Sequence, residues 1–131
     1  QRQGWNWRHG VDGNLVSVKQ GAATALGRSG AELLGTPLRN VSPPKLRFIS
    51  DYYLQRVVDN GEDAGYMRVL NQDGELLVWQ YSNRVYVDAD GSSYVMGYAQ
   101  DITAMRAVEQ ALQLSERRLR TVADTLPLKV A

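Results

Sequence analysis

The 131-residue chain carries 15 Lys and Arg against 14 Asp and Glu, with one His and no Cys. That length holds one domain with a real core, and its near-neutral charge supplies no electrostatic drive toward nucleic acid or anionic lipid. The missing Cys excludes disulfides, thiolate metal sites and cysteine nucleophiles, and no apolar stretch approaches the ~20 residues needed to cross a bilayer.

Hydrophobic residues make up 44% and charged residues 22%, a folded domain's balance and not that of a disordered tail. The chain begins at Gln1 without Met and reads as a piece of a longer protein. A β-prone run at Trp5–Val11 is followed by Asp12-Gly13 and then by Leu15–Val18. Asp-Gly supplies the positive φ angles of tight turns, so this is a hairpin. Helical texture follows. Gly21–Leu26 is a short helix stopped by Gly27. Ser29 with Glu32 makes a capping-box pattern for a second helix, ended by Gly35 and Pro37. Pro43-Pro44 opens a longer helix with Leu46, Ile49, Tyr53 and Val57 on one face, stopped by Asn60-Gly61. Two more Asp-Gly pairs, Asp73-Gly74 and Asp90-Gly91, join Tyr66–Leu70, Leu76–Val87 and Ser93–Gln100 into a three-stranded antiparallel group.

The C-terminal segment 102–126 changes texture. Met105, Val108, Leu112, Ser115, Leu119, Val122 and Leu126 are spaced alternately by three and four residues, a heptad seam. Asp101 and Thr103 are competent caps for its start, and Pro127 ends it. A seam this narrow, flanked by polar residues, suits pairing with a second copy better than packing on the chain's own sheet. The expected organisation is a core over 1–101, a signalling helix over 102–126, and the start of a linker or following domain at 127–131.

In this order the segments resemble a PAS domain over residues 9–126. Asp12-Gly13-Asn14-Leu15-Val16 resembles that family's opening hairpin, Glu32-Leu33-Leu34-Gly35 its E-L-L-G, and Asp73-Gly74, Trp79 and Asn83-Arg84 its D-G … W … N-R pattern. Gly97 through Thr103 resembles the closing G-x-x-x-D-I-T. The chain departs from the pattern at Gln20-Gly21, at Ser42-Pro43-Pro44-Lys45 and at Ala104. The resemblance implies an α+β PAS fold: a five-stranded antiparallel sheet, short helices on one face and a C-terminal signalling helix. It further implies a cytoplasmic sensory and dimerisation module of a bacterial signalling protein. A two-component histidine kinase or a diguanylate cyclase is the usual company, and Asp101-Ile102-Thr103 would relay the signal from the last strand to the helix.

Side chains alternate faces along Leu76–Val87. By resemblance to flavin-binding members, Gln80, Ser82 and Arg84 face the cavity, with Val95, Gly97 and Ala99 from the last strand. Inward polar groups must be paired or solvated. They would hold a polar or anionic ligand through Arg84, form an internal salt bridge, or line a water-filled pocket. Alternatively, a bulge reverses the register and turns Trp79 and Tyr81 inward. Cysteinyl-flavin chemistry is excluded without Cys, and the resemblance disfavours haem, since haem-binding members generally use a His on the long helix and Pro44–Asn60 has none; a non-covalent FAD or a small metabolite is compatible with the residues.

Catalysis has no support. His9 is the single His and reads as an exposed or packing residue, the acids sit mainly in turns, and no phosphate-binding loop or metal-ligand cluster is present. Two functions compete: a PAS sensor that dimerises and relays a cavity or interface signal, and a ligandless PAS spacer that only dimerises. Expected partners are a second copy and a neighbouring PAS or output domain. Nucleic acid and membrane are not expected.

Overall fold

Each Asp-Gly pair closes an antiparallel hairpin, and all three glycines take positive φ, which residues with a Cβ adopt at a cost. The computed structural model describes residues 4–126, so the expected linker at 127–131 lies outside the described residues. The strands are β1 (Gly4–Gly10), β2 (Leu15–Val18), β3 (Glu62–Leu70), β4 (Leu76–Val87) and β5 (Ser93–Asp101). Between β2 and β3 lie α1 (Gln20–Leu26), α2 (Gly30–Leu33), two 3-10 turns (Leu38–Val41 and Pro44–Leu46) and α3 (Arg47–Asn60). The last helix is α4 (Thr103–Thr125).

The sheet order is β2-β1-β5-β4-β3, with β1 and β5 joining the two hairpin groups antiparallel. Both groups are thereby fused into one five-stranded sheet, as the resemblance implied. Local stops fall where the turn chemistry puts them. Gly27 and Gly61 end α1 and α3 in the left-handed conformation. Ser29 accepts from the Glu32 amide while Glu32 reaches back to the Ser29 amide. Strand β3 begins four residues before Tyr66, because Glu62 to Gly65 pair with Arg84 to Tyr81.

The core lies on one face of the sheet. Trp5, Trp7, Trp79, Tyr81, Val69, Val95 and Ala99 from the strands meet Ala22, Ala23 and Leu26 of α1, Leu33 of α2, and Tyr53 and Val57 of α3. On α3 the buried stripe is narrower than the spacing predicted. Tyr53 and Val57 are buried and Leu54 packs beside them, while Ile49 is exposed and Leu46 half-buried. The two 3-10 turns precede this end of the helix. Among the described residues, the opposite face of the sheet is open apart from the first turns of α4.

Candidate functional site

Strand β4 presents Trp79, Tyr81 and Asn83 to the core, 0, 4 and 3% exposed, while Gln80, Ser82 and Arg84 face outward. This corrects the expected facing of Gln80, Ser82 and Arg84. No bulge is responsible, since β4 pairs residue for residue with β3 and β5 along its length. Directly opposed residues share a face, and Trp79, Tyr81, Asn83 and Val85 oppose Asp101, Ala99, Gly97 and Val95. Val95, Gly97 and Ala99 therefore stand with the aromatic set, and the six expected cavity residues divide between two faces. Burial of a Trp and a Tyr outweighs any arrangement that would place a Gln and an Arg against the helices.

The inner face is filled by the chain's own side chains. Trp5 and Trp7 flank Trp79 with ring centroids 4.8 and 6.0 Å away. Beyond them lies a buried polar network. Trp7 Nε1 donates to Asn83 Oδ1 at 3.4 Å, and Asn83 Nδ2 donates to the Tyr53 hydroxyl oxygen at 2.7 Å. Since indole can only donate, Trp7 fixes which end of the Asn83 amide is which. His9 lies 2.6 Å from the same hydroxyl through Nε2 and 2.7 Å from the Gly10 carbonyl through Nδ1. A Cβ at Gly97 would collide with Asn83 Oδ1 and the Ser82 carbonyl, so only glycine opposite Asn83 leaves the amide its place.

A second cluster borders it. Tyr81 donates to Asp63 at 2.5 Å, and Arg56 donates to both Asp63 oxygens at 3.2–3.3 Å. Burial and the Asp63 carboxylate push the Tyr81 phenol up to about 12, and burial raises the Tyr53 phenol further. Burial also lowers the His9 pKa, against the Gly10 carbonyl and Asp12. Both tyrosines are therefore neutral donors at neutral pH.

Between α3 and β3 a gap of about 40 Å³ remains, lined by Ser42, Ser50, Tyr53, Arg56, Met67 and Tyr81 among others. That is room for a water molecule, whose share of liquid volume is ~30 Å³, and for little more. A flavin or haem does not fit, because Trp5, Trp7, Trp79 and Tyr53 occupy the space on this side of the sheet. A larger groove, about 550 Å³, lies on the outer face between Asn6, Glu62, Ser82, Arg84, Tyr86 and Tyr98. Three of the expected ligand residues, Ser82, Arg84 and the backbone of Gly97, line it, but Arg84 is paired with Glu62 at 2.7 Å on an exposed surface.

At the end of β5 the chain is bolted to β4. The Ile102 amide donates to the Val78 carbonyl at 2.9 Å, and the Val78 amide donates to Thr103 Oγ1 at 2.9 Å. Asp101 Oδ1 accepts from the Thr103 amide at 2.8 Å, and Ile102 is buried. All three expected relay residues are thus fastened to the sheet at the root of α4. Only the first turns of α4 lie near the body, where Thr103, Arg106 and Ala107 border Tyr66, Leu76 and Val78. No residue of α4 is buried, and Val108 and Leu119 of its seam are 68 and 69% exposed.

The family model described as the PAS fold matches residues 10–107. The chain belongs to the PAS fold family. Solved structures agree on the fold. A PAS domain from Colwellia psychrerythraea is 19% identical, with a TM-score of 0.66 over 77% of this chain and 87% of that one. A PAS domain from a two-component sensor histidine kinase is 12% identical, with a TM-score of 0.63 over 73% and 82%. An RNA-binding light-oxygen-voltage receptor is 20% identical, with a TM-score of 0.69 over 85% of this chain and 33% of that longer one. No curated protein matches the chain. PAS domains are sensory modules of signalling proteins, generally without catalysis of their own. No helix among the described residues is long and apolar enough to cross a membrane.

Sequence reasoning left His9 as an exposed or packing residue, without its buried hydrogen bonds, and passed over Asp63. The period-two run Trp5, Trp7, His9 was the available signal for the first, since alternate residues of a strand share a face. Asp63 gave none, because the strand was expected to begin after it. Tyr53 was placed correctly on the buried stripe of α3, but its partners come from β1 and β4.

Proposed function

We propose that this PAS domain is a dimerising signalling module whose output element is α4. The observation that carries the reading is the helix itself. Its 23 residues follow the last strand without a flexible linker, and beyond the half-buried Met105 the apolar seam at Val108, Leu112, Leu119 and Val122 is exposed. A helix of that length extends ~35 Å, far past the edge of the sheet. A parallel pair of such helices would bury Met105, Val108, Leu112, Leu119, Val122 and Leu126 in successive layers, with Ser115 as the one polar layer. Because Asp101, Ile102 and Thr103 are hydrogen-bonded to β4 and within their own turn, a shift in the sheet moves the root of the helix as a rigid piece. Ser115 weakens any single packing and makes a change between two packings cheaper. The output domain, a histidine kinase or diguanylate cyclase in a cytoplasmic setting, belongs to the same proposal.

The filled inner face supports a module without a metabolite in its core, closer to the ligandless alternative than to a cofactor-based sensor. Association is testable because the chain has no native Cys. Leu112→Cys or Leu119→Cys should form a disulfide dimer under mild oxidation, since residues in one layer of a parallel pair meet their own counterparts. Arg117→Cys, on the far side of the helix, should not. A domain that stays monomeric at ~100 µM and cross-links equally from every position overturns the proposal.

A further inference from the structure

The buried imidazole of His9 is held in one protonation state by the order of its hydrogen bonds. The Gly10 carbonyl can only accept, so Nδ1 carries the proton. That leaves Nε2 bare, and the Tyr53 hydroxyl donates to it at 2.6 Å while receiving the Asn83 amide at 2.7 Å. Each of these groups uses its donors in one direction only, from Trp7 through Asn83 and Tyr53 to His9. Tyr53 is therefore the point at which α3 is joined to both β1 and β4.

We propose that His9 is a proton-operated latch: a second proton on its imidazole disconnects Tyr53, and with it α3, from the sheet. An Nε2–H would point at the Tyr53 oxygen, and the phenolic proton would lose its acceptor inside the core. A buried donor without a partner is costly, so the hydroxyl turns or the helix shifts. The groups that face the imidazole are few. Asp12 approaches from the β1–β2 turn, and Tyr53 from α3. Leu15 of β2 and Val95 of β5 stand opposite it on the neighbouring strands. The cluster of Tyr81, Asp63 and Arg56 is one ring further away, and Asp63 is committed to Arg56 and Tyr81. The Gly10 carbonyl and, more weakly, Asp12 favour the imidazolium, and desolvation of the ring outweighs both. The latch stands on these contacts and does not depend on pairing of α4.

The direction of the effect follows from linkage. The folded pKa lies below the unfolded value of 6.5. Between the two, the unfolded chain binds a proton that the folded chain refuses. The contribution to stability is whole above pH 6.5 and falls with acidification, by up to about ten-fold in the folding constant per pH unit, until the folded pKa is reached.

Because the chain has a single His, its imidazole resonances are unambiguous. Titrating the whole chain by NMR from pH 8 to pH 5 should show the Nδ1–H tautomer, a midpoint below 6.5, and amide shifts at Tyr53 to Val57 with that same midpoint. A tautomer protonated on Nε2, a midpoint at or above 6.5, or α3 amides that ignore the titration overturns the proposal. Thermal unfolding adds a second reading. His9→Gln should flatten the loss of Tm between pH 7.5 and pH 5 relative to the natural chain, and parallel curves overturn the latch. If His9→Gln does not fold, the imidazole titration decides alone.

Discussion

Along β4, Trp79, Tyr81 and Asn83 alternate with Gln80, Ser82 and Arg84, and the two sets meet opposite environments. The first set is sealed beneath the helices, where Trp79 touches two other indoles and Asn83 joins Trp7 to Tyr53. The second faces an open groove, where Arg84 meets Glu62 in water. The comparison teaches that polar chemistry on a strand is no guide to which face is interior. Arg and Gln look like ligand groups because they are rich in donors, yet solvent satisfies them at no cost. Asn83 is the polar group that was buried, because indole and phenol partners were waiting for both ends of its amide.

Substitutions on the two faces should separate sharply. Trp79→Ala removes the centre of the aromatic cluster and should cost about 3–5 kcal/mol in urea unfolding, enough to unfold a marginal domain. Gly97→Ala tests the same face from the neighbouring strand. Its Cβ meets the Asn83 amide and a backbone carbonyl, so a loss of about 1–3 kcal/mol is expected, detectable as a lower urea midpoint at unchanged slope. Asn83→Ala leaves the Trp7 indole without an acceptor and removes a donor from Tyr53, for about 1–3 kcal/mol. Arg84→Ala should move stability by no more than about 0.5 kcal/mol, because its ion pair is exposed and screened. An Arg84 effect as large as that of Asn83 would break the distinction between the faces.

A second contrast sets the body against α4. The body has a buried apolar core of its own, whereas no residue of α4 is buried. Leu119→Glu should therefore leave the thermal midpoint of the dilute domain unchanged while abolishing association in sedimentation. Ser115→Leu should strengthen association and fix the helix pair in one packing. A full-length signalling output unmoved by Ser115→Leu would remove the switching role from α4 and leave it a spacer.

Much of the body was legible because its signals are local. An Asp-Gly pair needs positive φ wherever it stands, a capping box closes over four residues, and a heptad seam is written along one helix. The family resemblance ordered these pieces, and the fold followed it. The candidate site was not legible in the same way. The inward facing of Val95 and Ala99 could be stated from the last strand, but which parity of β4 joins them depends on register across two strands. Within Leu76–Val87 the alternation of Trp79 and Tyr81 with Gln80, Ser82 and Arg84 favours the aromatic set inward, and the family resemblance was weighed above it.

Strand count, hairpin turns, helix stops and the exposed seam of α4 were thus determined by the sequence itself, through backbone preferences and spacing acting over a few residues. Tertiary structure alone decided that β5 would lie between β1 and β4 and that His9, Tyr53 and Asn83 would meet. Those three side chains are 44 and 30 residues apart in sequence. Their contact exists because burying the aromatic face of the strands beneath α3 encloses these polar groups too, and Trp7, Asn83, Tyr53 and His9 satisfy one another there.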